Sequence, residues 1–184
     1  IIKVLYTHNN ITLVPNLNLS INNCIVEIIT QEMKKNKYNV IDLFAGCGGL
    51  SEGFKQSNKF NFLAFVEWEK RPCETLINRL KKKWNYTNAE EIVLRFDLQR
   101  TDELINGWKD DKNYGSHSGL NKLINDDLDI VIGGPPCQAY SIAGRVQDKN
   151  GMKDDYRNYL FESYVKVVDT YKPKLFVFEN VPGM

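Results

Sequence analysis

The chain has 184 residues, of which 42% are hydrophobic and 26% charged, and its formal net charge is +1. These proportions suit a soluble globular domain with a sizeable core, and they exclude a collagen, a disulfide-rich mini-protein and a wholly disordered tail. No apolar run approaches the roughly 18–20 residues that cross a bilayer, and bulk charge neither demands nor forbids nucleic acid.

The four cysteines, Cys24, Cys47, Cys73 and Cys137, lie too far apart for a zinc half-site, and His8 and His117 stand alone. No structural metal and no membrane partner are expected. Scattered cysteines without a signal peptide point to a reducing, cytoplasmic compartment. The chain starts at Ile1 and ends at Met184, after a turn-like Val181-Pro182-Gly183, so a fragment of a longer protein is expected.

Residues 1–38 read as an appendage. Ile2, Val4 and Tyr6 alternate along one run, as do Ile11 and Leu13, and Thr7-His8-Asn9-Asn10 between them could turn a hairpin. From Ile21 the spacing becomes helical, with Cys24, Ile25, Ile28, Ile29 and Met33 on one face and Ser20 as N-cap. From residue 39 the rhythm becomes strand, loop, helix. Strands are predicted at 39–44, 60–67, 92–96, 129–133 and 175–179, with helices at 50–56, 71–83 and 155–171. A weak helix at 102–108 and a polar loop are predicted between the third and fourth strands. Lys81-Lys82-Lys83 reads as a solvated helix face. Such alternation predicts a parallel sheet with helices on both faces, and ligands then collect beyond the carboxyl ends of the strands.

Three constellations fall at those ends. The first is Asp42-Leu43-Phe44-Ala45-Gly46-Cys47-Gly48-Gly49, where glycines between strand and helix admit a ligand close to the backbone. It is neither a GxGxxG fingerprint, since position 51 is serine, nor a phosphate loop, since no GKS or GKT follows. Glu67 ends the next strand, where an acid can accept hydrogen bonds from both hydroxyls of a ribose. Trp68 can stack on an adenine, and Asp97 can accept from its amino group. Read plainly, Glu67 and Asp97 are loop acids and Trp68 is core. The second constellation, Gly133-Gly134-Pro135-Pro136-Cys137-Gln138, holds a thiol on a stiffened backbone. Cys24 and Cys73 read as inert, and Cys47 as a shaper of the glycine loop. The third, Phe178-Glu179-Asn180-Val181, puts a carboxyl group beside that thiol if the fourth and fifth strands are neighbours.

With these blocks in view, the chain resembles the DNA (cytosine-5) methyltransferase family. DLFAGCGG looks like its first motif, GGPPCQAYS its catalytic motif and ENVPGM its glutamate motif, and the match runs from about Asn39 to Met184. The resemblance implies a Rossmann-like S-adenosylmethionine-dependent methyltransferase sheet, truncated after the fifth strand. It implies that residues 39–184 are the N-terminal part of the catalytic domain, without the target-recognition region. Phe44, Gly46, Gly48, Gly49 and Leu50 would line the cofactor loop. Glu67 would hold the ribose, Trp68 the adenine ring, and Asp97 with Leu98 the adenine edge. Pro136 would lie beside the sulfonium, and Leu160 would pack in the pocket. Cys137 would be the nucleophile toward a cytosine flipped out of duplex DNA, and Glu179 would engage that base. Gln138, Ser141, Arg145 and Asn180 are assigned to the substrate, with residues 141–155 as a mobile lid. Implied partners are double-stranded DNA with a target cytosine and a cognate restriction endonuclease. Alternatives are a tRNA cytosine-5 methyltransferase and a non-catalytic DNA- or partner-binding relative. A nicotinamide dehydrogenase is disfavoured by the missing GxGxxG. An absent downstream part of the sheet is expected to leave the fifth strand with an unpaired edge.

Overall fold

A computed structural model describes residues 2–6, 36–125, 127–136 and 160–179. Eight strands are described: β1 (Ile2–Tyr6), β2 (Tyr38–Leu43), β3 (Phe60–Glu67), β4 (Val93–Arg95), β5 (Trp108–Asp111), β6 (Gly115–His117), β7 (Ile130–Gly133) and β8 (Leu175–Glu179). Helices are α1 (Gly49–Gln56), α2 (Lys70–Trp84), α3 (Ala89–Ile92), α4 (Thr101–Asn106), α5 (Gly119–Ile124) and α6 (Leu160–Tyr171).

The main sheet has the order β1-β8-β7-β2-β3-β4. Strands β2, β3, β4, β7 and β8 run parallel, and these are the five strands expected from the sequence. The order reverses between β2 and β7, so the loops leaving these two strands diverge and open a crevice at their carboxyl ends. The fold is the parallel sheet between helices that the alternation implied, with the Rossmann-like order that the resemblance implied.

Burial on both faces explains the strand composition. Strand β7 is buried at every position and β2 at all but Asn39, as parallel strands between two helical layers must be. Val40, Ile130 and Ile132 pack on one face with Phe54 of α1 and Leu76 and Leu80 of α2. Their neighbours Ile41, Leu43 and Val131 pack on the other face with Leu104, Leu120, Tyr164 and Val167. Helix α2 stops where Asn85 turns left-handed (φ 58°), a conformation asparagine tolerates.

One irregularity matters for the site. Against β2, the partner of Val40 is Phe62 but the partner of Ile41 is Ala64. The extra residue in β3 flips the alternation that follows. Phe60, Phe62 and Phe65 therefore share one face, and Phe62 stacks on Phe65 with centroids 5.0 Å apart. Glu67, two residues on from Phe65, takes that same face, over the first helix.

Three expectations need correction. The edge of β8 is covered, because β1 pairs with it antiparallel from Ile2–Glu179 to Tyr6–Leu175. This satisfies backbone groups that an open edge would leave unpaired. Strand β1 is thus part of the main sheet; residues 11 and 13, its expected hairpin partners, lie outside the described residues. The helix expected at 102–108 ends at Asn106, since Gly107 adopts φ 103°. Trp108 instead opens an antiparallel hairpin of β5 and β6. That hairpin is held by stacking of Trp108 on Phe96, with centroids 3.9 Å apart, and by Arg95 Nη1 donating to the Asn113 carbonyl at 3.0 Å. Among the described residues no helix is long and apolar enough to cross a membrane.

Candidate functional site

The loop from β2 to α1 wraps over the end of β3. Ala45 N–H donates to the Val66 carbonyl at 3.0 Å, and Gly48 N–H closes a turn on the Ala45 carbonyl at 2.8 Å. Phe44 is left-handed at φ 63°; such backbone in a non-glycine residue costs roughly 1–3 kcal/mol and concentrates at functional loops. Gly48 is required twice. Its φ is 81°, and a β-carbon there would meet Leu76 Cδ1 at 2.7 Å. No neighbour lies within 4 Å of the place a β-carbon would take at Gly46 or Gly49, so the loop has an open side. Helix α1 has no side-chain cap. Leu50 packs against the core.

Glu67 closes the loop from the neighbouring strand. Its Oε2 accepts the Gly46 N–H at 2.9 Å and its Oε1 the Glu69 N–H at 2.8 Å. A carboxylate offers about four acceptor positions, so two remain for a ligand's hydroxyls. Beneath the loop, Ser51 donates its hydroxyl to Asp42. Both side chains are buried. Burial pushes the Asp42 carboxyl up to about 7; the Ser51 hydrogen bond opposes this and the Glu67 charge adds to it. Cys73, on α2, donates to the Glu67 carbonyl at 3.5 Å. Burial pushes its thiol up to about 12, with Glu67 adding, which fits the inert role expected of it. Cys47 is exposed on the loop.

Trp68 follows Glu67 and is 44% exposed. It is thus exposed rather than core. Asp97, beyond β4, accepts the Gln99 N–H on Oδ1 at 3.0 Å, while Leu98 is buried behind it. The residues fit the nucleoside end of S-adenosylmethionine: an open glycine loop without lysine or arginine, a diol acceptor, an exposed indole and a second acid. The loop carries no basic residue for a pyrophosphate, and Arg79 of α2, which reaches it, is held by the Gly48 carbonyl at 3.3 Å and the Glu52 carboxylate at 3.6 Å.

The second half of the site comes from β7 and β8. The strands are parallel neighbours, with Gly133 opposite Phe178, so Gly134 and Glu179 emerge side by side. A β-carbon at Gly134 would lie 2.8 Å from Glu179 Oε2. The Glu179 carboxylate therefore lies directly on the backbone that leads through Pro135 and Pro136 to residue 137. Pro136 is exposed, and Leu160, at the start of α6, is buried. Tyr164 of the same helix shares its hydroxyl between the Val131 and Val177 carbonyls, at 3.2 and 3.1 Å. Burial drives that phenol well above its ordinary range, the Asp42 charge adding. Cys137, Gln138, Ser141, Arg145, Asn180 and the expected lid lie outside the described residues.

The structure thus brings Phe44, Gly46, Gly48, Gly49, Leu50, Glu67 and Trp68 to one loop and strand end, with Asp97 and Leu98 at the next. Asp42 and Gly134 stood inside the motifs quoted from the sequence without a role of their own, and Ser51 and Tyr164 were given none. For Asp42 a signal existed: an acid inside an otherwise apolar strand needs a buried partner. Among the described residues no group of three or more His, Cys, Asp or Glu side chains could hold a metal ion.

Comparisons with known proteins agree with this geometry. A family model described as C-5 cytosine-specific DNA methylase matches residues 38–184. The Type II methyltransferase M.Bpa9945I of Bacillus paralicheniformis is 37% identical, over 79% of this chain and 41% of that protein. The Type II methyltransferase M.XorII of Xanthomonas oryzae is 38% identical, over 78% of this chain and 28% of its own length. The crystal structure of a mutant DNMT2 from Spodoptera frugiperda superposes with a TM-score of 0.50 at 18% identity, covering 80% of this chain and 36% of that one; this likeness bears on the fold. The chain spans less than half the length of these curated relatives. The matched region takes in the glycine loop, the acids that follow it and the Gly134–Glu179 contact, and the chain belongs to the C-5 cytosine-specific DNA methylase family.

Proposed function

We propose that the protein carrying this chain methylates carbon 5 of cytosine in double-stranded DNA with S-adenosylmethionine, as the modification half of a restriction system. The observation that carries the reading is the Glu179 carboxylate lying on Gly134, three residues before Cys137, at the same sheet end as the Gly46–Glu67 loop. That relatives are named Type II methyltransferases supports the restriction context.

Glu67 would take the ribose hydroxyls, Trp68 the adenine face, and Asp97 with Leu98 the adenine edge. Pro136 and Leu160 would border the transferable group. When bound, S-adenosylmethionine supplies an electrophilic methyl group. Carbon 5 of cytosine is too electron-poor to react by itself. Adding the Cys137 thiolate to carbon 6 moves electron density onto carbon 5. Glu179 would hold ring nitrogen 3 and the exocyclic amino group, where the charge change is felt. Carbon 5 would then take the methyl group, whose bond to sulfur breaks to leave a neutral thioether. Loss of the carbon 5 proton to solvent, with expulsion of the Cys137 thiolate, would restore the ring. A base stacked in a duplex cannot reach a thiol at a strand end, so the target cytosine must be flipped, at a cost of a few kcal/mol. Gln138, Ser141, Arg145 and Asn180 would contact the flipped base and its backbone, and residues 141–155 would close on the DNA. In this reading residues 39–184 are the N-terminal part of the catalytic domain, and β1 from the preceding segment adds an edge strand to its sheet.

The full-length protein, given S-adenosylmethionine and duplex DNA containing 5-fluorocytosine, is expected to form a covalent adduct, and Cys137→Ser is expected to form none. Adducts confined to tRNA would transfer the reading to an RNA substrate. Cofactor binding without adducts on either nucleic acid would make the protein a non-catalytic relative.

A further inference from the structure

Gly133 ends β7 and Gly134 follows it, and different neighbours require the two glycines. Neither has a left-handed φ, so backbone conformation does not demand glycine at either position. Space does. At Gly133 a β-carbon would meet the Leu43 carbonyl oxygen at 2.4 Å, with Tyr164 Cε2 at 3.0 Å. That obstacle is strand backbone, so the first glycine serves the packing of β7 on β2. At Gly134 the three nearest atoms all belong to one residue: Glu179 Oε2 at 2.8 Å, its Cβ at 3.5 Å and its carbonyl oxygen at 3.7 Å. The second glycine leaves room for a carboxylate.

We infer that Gly134 is a positioning residue for Glu179: its missing side chain is the seat of the Glu179 carboxylate, which fixes that group against the backbone leading to Cys137. The inference rests on the base-engaging role proposed above for Glu179. A glutamate has three side-chain torsions, and without a wall its carboxylate samples several rotamers. The Gly134 backbone provides that wall on the side of β7. A methyl group at 134 would not break the fold, because its clash is with the far end of a flexible side chain. It would move the carboxylate by a few tenths of an ångström. Misplacement of roughly 1 Å costs about a hundredfold in rate, so about tenfold is expected here.

The test compares Gly134→Ala, Glu179→Gln and the double variant in the full-length protein. The readouts are single-turnover methyl transfer onto DNA, calorimetric S-adenosylmethionine affinity, thermal midpoint, and carbon-13 NMR of δ-labelled glutamates in the free protein, with Glu179 assigned from its loss in Glu179→Gln. Gly134→Ala is expected to slow transfer about tenfold and to shift the Glu179 resonance. Cofactor affinity and thermal midpoint should stay near those of the parent. In the Glu179→Gln background the alanine should add little further loss, since its effect runs through the missing carboxylate. An unmoved Glu179 resonance, an equal loss in both backgrounds, or a loss that tracks a lower melting point would overturn the inference. Parent-like transfer by Glu179→Gln would instead overturn the catalytic role of Glu179, and the resonance would still decide whether Gly134 seats it.

Discussion

Two aspartates in this sheet are equally buried, 1% exposed each, yet they sit at opposite ends of it and are treated differently. Asp129, at the amino end of β7, accepts Lys174 Nζ at 2.6 Å on one oxygen and the Asn39 N–H at 3.0 Å on the other. Asn39 in turn donates to Asp127 at 2.8 Å and accepts from Asn61 at 2.9 Å. That end is a closed polar network. Asp42, near the carboxyl end of β2, has the Ser51 hydroxyl and the like charge of Glu67. Around it stand a left-handed phenylalanine, an uncapped helix and an exposed tryptophan. One end satisfies its polar groups internally; the other holds its groups toward a ligand at a cost in stability.

The comparison can be broken at four points. The largest effect is expected at Asp42. Its folded carboxyl titrates near 7 against an ordinary 3.8, so the folded state keeps a proton that the unfolded chain gives up. Its stabilising contribution is complete below pH 4 and is lost as pH climbs through 7. Asp42→Asn keeps an acceptor for Ser51 and removes this loss. Denaturant titration should find the variant more stable than the parent at pH 8, by at most about 4 kcal/mol, with the margin vanishing near pH 4. A pH-independent margin would show that the carboxyl does not carry its proton into the neutral range.

Asp129→Ala is expected to act in the opposite sense. It leaves the Asn39 N–H and Lys174 without their acceptor and should cost about 2–3 kcal/mol, below the full value for a buried pair because Lys174 is half exposed. Cofactor affinity, measured by calorimetry, should stay unchanged. A loss of affinity in proportion to stability would mean that the two ends are coupled.

Glu67→Ala should reverse that pattern, weakening S-adenosylmethionine binding by about 1–3 kcal/mol with little change in thermal midpoint. Binding at parent affinity would remove Glu67 from the ribose. The smallest effect belongs to Trp68→Ala, about 0.5–1.5 kcal/mol in affinity for a lost stack. A larger drop in stability than in affinity would make Trp68 a packing residue.

Much of this was readable in the residues. Short β-branched runs such as Val40-Ile41 and Ile130-Val131-Ile132, followed by glycine or a turn, read as strands buried on both faces, and the helices between them favour a parallel order. Acids and glycines at the ends of those runs then fall on one edge of the sheet. The hairpin after Gly107 was not readable. Its strands are short and polar, and they form because Trp108 finds Phe96 across a turn.

Residue spacing by itself determined the alternation of strands and helices and set glycines and acids at the carboxyl ends of the strands, because these follow from local periodicity and the handedness of the crossover. Tertiary structure alone decided three things. The extra residue in β3 sends Glu67 to the face of the glycine loop, where unbroken alternation would send it to the other. Strand β1 pairs with β8, from Ile2 with Glu179 to Tyr6 with Leu175, across almost the whole chain. Gly134 serves Glu179 rather than a turn. Each depends on which backbone passes within a few ångströms of another, and a single strand's pattern carries no record of its neighbour.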